Sequence, residues 1–448
     1  MPRGQASWPA SATRWSAFET ATPGDESTGD GPWTEEADLN VSPSLVLANA
    51  TIPAGARGAS PSSILISSAG HILDIGDISA SAEIPTIDLG GRLVTPAFVD
   101  MHQHLDKSFT LADAPNPDGT LLGAIEAFRS YSKGLTRERI CERAQATLDR
   151  CVSMGTGAIR THANLDHEMG LKSVEAMCEL RAANSHRLEL QVVAFATSSA
   201  ARGEIALARQ LLERAVAAGA DCIGGTPNLA PDPTAYIDML LDVAERHGLP
   251  VDLHVDETLD PQARCFDHLV EQTRRRRMGG RVVGSHVCSL SAVPDDDARR
   301  SIDAAVQAGV AVCTLPAANL FLQGRDRRQL VPRGLTRVGD MIDAGVLVAT
   351  ASDNIRDAFV PVGSGDVVEM ARWTILAAHL LTDAADRAYR MITDIPATIM
   401  GMDGRGSLRV GAKADLVISG CANVEDLIAG GAGTRAVLHN GQLVAGAL

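Results

Sequence analysis

Eight short apolar runs, each ending in polar residues, constrain the fold of this chain more than any other feature. After a longer first connection the runs recur at steps of roughly thirty residues, the length of a βα unit. Segments of helical period, such as IALARQLLERAVAAGA and AYIDMLLDVAERHG, lie between them. Eight parallel strands that are each followed by a helix define a TIM barrel. The runs are VTPAFVDMHQH, TGAIRTHANL, LELQVVAFAT, ADCIGGTP, PVDLHVDET, RVVGSHVCS, VAVCTLPAA and VLVATASDN.

We therefore predict an α/β fold whose main domain, residues 96–404, is a distorted TIM (β/α)₈ barrel. Both ends of the chain have a different pattern. Short alternating runs broken by Gly and Ser, such as SLVLANATI near the start and TRAVLHNGQLVAG near the end, are typical of strands. Residues 41–95 and 405–448 are predicted to build a small β domain, with one sheet assembled from both ends.

Residues 1–40 are rich in Ser, Thr, Pro, Gly and acidic residues and show no periodicity, which predicts a flexible leader. Trp8, Trp15 and Trp33 lie within this leader. Two interpretations are open: these are residual apolar residues in a mobile tail, or the tail docks on a neighbouring subunit.

Charge and cysteine usage exclude several classes of protein. Lys and Arg number 40 against 55 Asp and Glu, for a net charge of −15, and aromatic residues make up 3%, so a nucleic-acid partner is not expected. The eight cysteines form no CxxC pair, which is typical of buried free thiols in a reducing compartment. The sequence shows no secretory signal and no apolar run long enough to span a membrane. We expect a cytoplasmic protein without membrane contact.

Polar residues stand at the ends of the predicted barrel strands. In TIM barrels the active site forms where the strands end, so these positions are the first candidates for chemistry. Seven such residues, five of them from the 12 histidines of the chain, are hard to explain by composition alone. They are His102, His104, His162, His254, Glu257, His286 and Asp353.

The pair His102-Gln103-His104 is the arrangement that most directly suggests a metal. Alternate residues of a strand point to the same side, so both imidazoles face the barrel mouth together. Taken alone, such a pair is better explained by two polar strand-end residues in solvent. With His254 as a third nitrogen ligand and Asp353 as an oxygen ligand, the set predicts one divalent metal with a place left for water.

A divalent metal lowers the pKa of water enough to make hydrolysis the natural use of such a site. Asp353 can take the proton of the water, and Glu257 can carry protons to a ring nitrogen and to the leaving group. His286 can polarise the attacked centre or orient the nucleophile. The alternatives are a salt-bridged surface carboxylate for Glu257 and a strand-end histidine without catalytic role for His286.

With these residues in place, the sequence resembles the amidohydrolase superfamily, and within it the cytosine deaminase group and the N-alkylammelide amidohydrolases. The resemblance begins near Leu45 and covers nearly all of the chain from there. It is carried by TPAFVDMHQHLDKSFT, RTHANLD, HVDE at 254–257, SH at 285–286, NLFLQGR at 319–325 and ASDNIRDAFVPVGSGD at 351–366.

The resemblance implies that one catalytic iron or zinc ion is bound by His102, His104, His254 and Asp353, with Glu257 as proton shuttle and His286 as polarising group. It implies that the terminal strands form a β-sandwich and that the protein is a homo-oligomer. Members with two metals usually bridge them with a carboxylated lysine on the fourth strand, and ADCIGGTP contains no lysine. One metal is therefore expected.

Departures from the family pattern bear on the substrate. Cytosine deaminases carry Pro-Gln after the third-strand VAF, and here Ala196 and Thr197 follow it. Asn354 replaces an aspartate of the family motif, and Phe359 replaces a tryptophan. A pocket that lacks one hydrogen-bonding group loses discrimination steeply, so cytosine itself is not the expected substrate. The candidate substrate-binding residues are Thr197, Asn354, Phe359, Gln323 and Lys107, with Arg325 as a further residue of the pocket.

Two of these positions have alternative interpretations. Lys107, next to Asp106, contacts a substrate oxygen or holds the loop after the first strand through an ion pair. Phe359 covers one face of a flat ring or packs in the core.

The expected function is a metal-dependent hydrolase that removes ammonia or a small amine from a planar N-heterocycle such as an aminopyrimidine or aminotriazine. The alternatives are a cyclic amide hydrolase of the hydantoinase or dihydroorotase type, which would produce a new carboxylate, and a non-catalytic relative, which would lack a metal ligand.

Overall fold

The structure is a computed structural model that describes residues 42–53, 61–78, 83–197, 203–431 and 433–448. The predicted leader, residues 1–40 with its three tryptophans, lies outside the described residues. The strands before the barrel are β1 (Pro43–Ala50), β2 (Ser62–Ser67), β3 (Ile72–Gly76), β4 (Thr86–Asp88) and β5 (Leu93–Pro96).

Eight parallel strands form one sheet in chain order, as the eight runs predicted. They are β6 (Phe98–Gln103), β7 (Thr156–Leu165), β8 (Glu189–Ala196), β9 (Cys222–Gly225), β10 (Val251–Val255), β11 (Val282–His286), β12 (Val310–Thr314) and β13 (Val348–Thr350). The first and last strands meet at their carboxyl ends, where Gln103 pairs with Asp353. The TIM barrel is therefore confirmed.

Helices lie between and after the barrel strands, and most of those between the strands pack apolar residues against the outside of the sheet. They are α1 (Leu121–Ser132), α2 (Arg137–Ser153), α3 (Lys172–Asn184), α4 (Ile205–Ala217), α5 (Pro233–His247), α6 (Cys265–Arg275), α7 (Asp295–Ala308), α8 (Pro316–Leu322), α9 (Val338–Ala344), α10 (Val367–Ala378), α11 (Ala384–Arg390), α12 (Asp394–Ile399) and α13 (Val424–Ala429). Short 3₁₀ turns occupy Pro227–Leu229 and Cys288–Ser291.

Helix α5 shows how the sequence sets the helix ends. The Asp232 side chain accepts a hydrogen bond from the Ala235 N–H, and Pro233 stands at the first helical position, where its missing N–H is not needed. The helix ends at Gly248, whose φ of 68° is in the left-handed region that glycine adopts without strain.

Two four-stranded sheets built from the chain ends form the predicted β-sandwich. The last strands are β14 (Leu416–Ser419), β15 (Ala436–His439) and β16 (Gln442–Ala445). The sheet orders are β3-β2-β1-β4 and β16-β15-β14-β5, and one apolar core, which includes Leu47, Ile64 and Leu416, lies between them. Among the described strands, the second sheet combines strands from both chain ends, whereas β1 to β4 make up the first.

The first apolar run of the sequence divides between the two domains at Ala97. Its N–H donates to the carbonyl of Asp415, beside β14, whereas the next N–H, of Phe98, donates to Gly155, beside β7. The hydrogen-bond partner thus changes from the sandwich to the barrel within one residue. This switch sets β5 and β6 as separate strands. The domain boundaries at residues 95 and 405 stay predictions.

All eight cysteines are free, as predicted. Six are buried, whereas Cys141 and Cys178 are partly exposed. None of the helices in the described ranges is long and apolar enough to cross a membrane.

The sandwich core provides a test of the fold. Leu416 is fully buried between the two sheets, so Leu416→Ala should lower the free energy of unfolding by about 2–5 kcal/mol. Leu443 lies in the same sheet but is 47% exposed, and Leu443→Ala should change this free energy by about 0.5 kcal/mol or less. Urea denaturation followed by circular dichroism measures both; equal midpoints for the two variants would contradict the assigned core.

Candidate active site

Three strand ends bring four predicted metal-binding side chains to one point at the carboxyl end of the barrel. The Nε2 atom of His254 lies 3.2 Å from Nε2 of His102 and 3.1 Å from Nε2 of His104. The Oδ1 atom of Asp353 lies 3.6 Å and 3.3 Å from the same two nitrogens. All four side chains are buried. This group could hold a metal ion.

The chemistry of the donor set fits a divalent cation. Burial lowers the pKa of His102, His104 and His254 well below the usual histidine value, so the rings are neutral. The Oδ1 atom of Asp353 is buried and has no hydrogen-bond partner among the described residues. Neutral imidazole nitrogens and a carboxylate oxygen that converge on one point are the ligands that zinc and iron prefer.

The backbone turns sharply where the site residues leave their strands. Asp256, His286 and Asp353 have φ values of 52°, 72° and 59°, in the left-handed region that residues other than glycine rarely adopt. Such strain costs on the order of 1–3 kcal/mol per residue and persists only where the surrounding structure imposes it. At the ends of β10, β11 and β13 it accompanies the turn of the chain into the barrel mouth.

Glu257 and His286 lie beside the cluster with unusual protonation states. The Nδ1 atom of His286 is 3.7 Å from Oε1 of Glu257, and its Nε2 is 4.0 Å from Oδ2 of Asp353. Burial raises the pKa of Glu257 to about 8 and lowers the pKa of His286 to about 3. At neutral pH this arrangement holds a protonated carboxylic acid next to a neutral imidazole.

Asn319 determines the tautomer of His286. Its side-chain Nδ2 is 2.9 Å from Nδ1 of His286 and donates to it, so the proton of the neutral ring is on Nε2 and faces Asp353. Gln323, from the same segment, donates from Nε2 to the backbone carbonyl of Glu257 at 3.0 Å. The segment NLFLQGR thus positions both proton-handling residues.

Three polar side chains behind the cluster hold His102 in its orientation. The Ser285 hydroxyl donates to Oδ1 of Asp252 at 2.8 Å, and Arg160 donates to the other carboxylate oxygen at 3.1 Å. Burial would raise the pKa of Asp252, but His162 and Arg160 hold it below its usual range. Since the hydroxyl proton of Ser285 is used, its oxygen must accept from His102 Nδ1–H, 3.0 Å away. The lone pair of His102 Nε2 therefore faces the cluster.

His162, the remaining predicted strand-end histidine, lies behind the cluster. Its ring centroid is 3.9 Å from that of His102, and its Nε2 is 3.6 Å from Oδ1 of Asp252. His102, His162 and Asp252 form a second group that could hold an ion by distance. The Arg160 guanidinium, which pairs with Asp252, opposes a cation there.

A cavity of about 380 Å³ opens from the cluster toward the outside of the barrel. Four of the predicted substrate-binding residues, Lys107, Thr197, Asn354 and Phe359, line this cavity. Gln323 and Arg325 are not among its lining residues. Gln323 holds the Glu257 backbone instead, and the Arg325 guanidinium lies 4.3 Å from the centroid of the Phe321 ring.

Lys107 is buried in the cavity wall with several partners. Its Nζ lies 2.9 Å from Nδ1 of His104 and 3.7 Å from Oδ1 of Asp106. The ammonium also faces the rings of Phe195 and Phe128, at 5.2 and 5.4 Å from their centroids. Both interpretations from the sequence thus have support, because Lys107 pairs with Asp106 and lines the cavity.

Several cavity residues were missed by the sequence analysis. Asn164 and Asp166 line the cavity after β7, and Asn164 Nδ2 donates to Asp166 Oδ2 at 2.6 Å, while Thr197 donates to Asn164 Oδ1 at 3.1 Å. Their place at the end of the run TGAIRTHANL was a usable signal. One face of helix α1, with Leu122 and Ile125, also lines the cavity, and no sequence signal gave its orientation.

Comparisons with known proteins agree with this geometry. The model of the amidohydrolase family matches residues 85–176 and 117–445. A pterin deaminase from Rhizobium rhizogenes is 32% identical over 89% of this chain and 93% of its own length. An N-isopropylammelide isopropyl amidohydrolase from Pseudomonas sp. is 28% identical over 80% of this chain and 87% of its own length.

Among solved structures, 5-methylcytosine deaminase from Klebsiella pneumoniae superposes with a TM-score of 0.83 at 28% identity, covering 89% of this chain and 97% of the other. The family match spans all eight barrel strands, β6 to β13. The chain is a hydrolase that acts on C–N bonds, and it belongs to the amidohydrolase family.

Proposed function

We propose that this protein removes ammonia or a small amine by hydrolysis from a planar N-heterocycle, with one zinc or iron ion held by His102, His104, His254 and Asp353. The observation that carries the proposal is the Glu257 carboxyl group beside a converging His₃Asp donor set, at the inner end of a cavity of about 380 Å³. When bound, the metal would supply a Lewis acid that lowers the pKa of water toward neutrality.

Glu257 acts as the proton donor in this proposal. Its carboxyl group, protonated at neutral pH because burial raises its pKa to about 8, can deliver a proton to a ring nitrogen or to the departing amine. Deamination needs such a donor because an unprotonated amide anion is a poor leaving group. His286 holds its Nε2 proton toward the reaction centre and orients the attacked carbon or the nucleophile.

The two carboxylate oxygens of Asp353 have different roles. Oδ1 faces His102 and His104 in the metal-binding group, and Oδ2 faces His286. The free lone pairs of Oδ2 can accept the proton that the attacking water loses. Burial raises the pKa of Asp353 well above its usual value, which favours proton uptake.

The proposed substrate is a flat amino-substituted ring. The Phe195 ring lies 4.4 Å from the ring of His254 and forms an apolar wall beside the cluster, and Phe359 lines the cavity as well. Lys107, Asn164, Thr197 and Asn354 present donors and acceptors for the edges of the ring.

The relatives narrow the choice of ring. The pterin deaminase at 32% identity and the N-isopropylammelide amidohydrolase support aminopteridines and aminotriazines as substrates. Thr197 stands where the cytosine deaminases carry a glutamine, and its side chain is too short to make the two hydrogen bonds of a glutamine amide. Cytosine is therefore disfavoured as a substrate.

The alternatives have less support. A non-catalytic relative would have no reason to keep four converging ligands and a protonated acid. A cyclic amide hydrolase would release a carboxylate, so detection of ammonia without a new carboxylate distinguishes it from a deaminase. A cytoplasmic location and a homo-oligomeric state stay predictions from the sequence.

Replacing the proton donor tests the mechanism. Glu257→Gln keeps the size of the side chain but cannot deliver a proton, so kcat should fall by about 10²–10⁴-fold. Metal content, measured by elemental analysis, should stay unchanged because Glu257 is outside the ligand set. The matched control is Glu179→Gln, a carboxylate that is 57% exposed on the surface. A Glu257→Gln enzyme with its metal and full turnover would refute the assignment.

The hydrogen-bonded chain behind His102 gives a prediction about metal affinity. Ser285→Ala removes the acceptor of His102 Nδ1–H, so the ring can change its tautomer, and affinity for Zn²⁺ should fall by about 10–100-fold. Titration of metal-free protein against a chromophoric chelator measures this. Ser285→Thr, which keeps the hydroxyl, should restore affinity. Ser289→Ala, at a buried serine whose hydroxyl has no hydrogen-bond partner in the described ranges, is the control. Equal affinities for wild type and Ser285→Ala would contradict the role of Ser285.

A further inference from the structure

We propose that one face of helix α1 binds a second, uncharged ring fused to the reacting heterocycle, so that the preferred substrate is a bicyclic aminoheterocycle. This inference rests on the proposed function, because it concerns the part of the substrate that lies away from the metal-binding group. It is carried by the lining of the cavity, by the exposure of the helix face and by the charges at the rim.

Helix α1 lies in the long connection between β6 and β7 and has two adjacent stripes. Ala124, Phe128 and Ser132, four residues apart, are buried against the rest of the protein. The neighbouring stripe of Leu122, Ile125 and Arg129, at helical spacing, lines the same cavity as His104, His254 and Asp353. The helix face is therefore continuous with the reaction centre.

The apolar part of this stripe is open to solvent. Leu122 is 69% exposed although it lines the cavity, and Ile125 is partly exposed. A bound ligand that covers these side chains removes apolar surface from water, which favours binding. A polar extension of the substrate would gain nothing from this contact, so the face selects an apolar or aromatic group.

The cavity offers more room than a single ring at the reaction centre needs. On its wall, Lys107 Nζ lies 2.9 Å from His104 Nδ1 and 5.4 Å from the ring centroid of Phe128, a residue of α1, so the helix adjoins the metal-binding group here. A ring stacked on Phe195 beside His254 occupies the inner part of the cavity. The full cavity of about 380 Å³ has the volume of roughly a dozen liquid waters, which exceeds the need of a monocycle.

The rim of the cavity indicates that the extension is neutral. Glu126 and Arg129, which both line the cavity, pair with each other through Arg129 Nη2 and Glu126 Oε2 at 2.7 Å. The pair leaves no net charge at the outer edge of α1 to attract an anionic or cationic tail. A fused neutral ring meets these conditions.

Pterin and isocytosine form a matched pair of probes. Both contain the same 2-amino-4-oxopyrimidine ring, and only pterin carries the second ring. Metal-loaded wild-type protein should release ammonia from pterin with a kcat/KM at least about tenfold higher than from isocytosine. The variant Leu122→Ala/Ile125→Ala should lower kcat/KM for pterin by on the order of tenfold, mainly through KM, and leave isocytosine within about twofold.

The control variant is Leu376→Ala, since Leu376 is 68% exposed, as Leu122 is, but is not among the lining residues of the active-site cavity. It should leave both substrates unchanged. Isocytosine turnover equal to or above that of pterin, or an equal loss for both substrates in the double variant, would overturn this inference while the proposed deamination stands. Ammonia release from neither probe, nor from aminotriazines, would overturn the proposed function and this inference together.

Discussion

The closure of the barrel is the constraint on which the site depends. The N–H of Asp353 donates to the carbonyl of His102 at 2.8 Å, and the N–H of His104 donates to the carbonyl of Asp353 at 3.0 Å. The backbone bonds that join the first strand to the last are thus made by three of the four candidate metal ligands. Asp100 supports the seam by accepting from the Ser352 N–H and from Gln103 Nε2. A barrel that failed to close would have no cluster.

Burying polar side chains is costly unless they have hydrogen-bond partners, and here the partners also give His102 and His286 one tautomer each. Arg160 pairs with Asp252, Asp252 accepts from Ser285, and Ser285 accepts from His102. On the other side Asn319 performs the same function for His286. The lone pair of His102 and the proton of His286 that face the cavity are therefore set by residues that do not line it. The site is preorganised by these supporting residues.

The sequence predicted the barrel and the cluster because both follow from local rules. Strand period and strand-end chemistry place His102, His254 and Asp353 at one edge without knowledge of packing. Gln323 is a residue whose role these local rules did not predict. It follows barrel strand β12, but its amide donates to the backbone carbonyl of Glu257, because α8 sets the direction of the side chain. The orientation of α1 likewise depends on which stripe packs on the barrel, and periodicity alone did not show that its second stripe meets the cavity.

The pairing of β5 with β14 has a consequence for how the molecule is made. β5 precedes the barrel in the chain, and the strand that completes its sheet follows the barrel. During synthesis from the amino end, one edge of β5 stays without its neighbour until the ribosome has passed β14. Ordering of the sandwich core must therefore come late in biogenesis, after the barrel strands have left the ribosome, and an unfinished chain presents an open strand edge to chaperones.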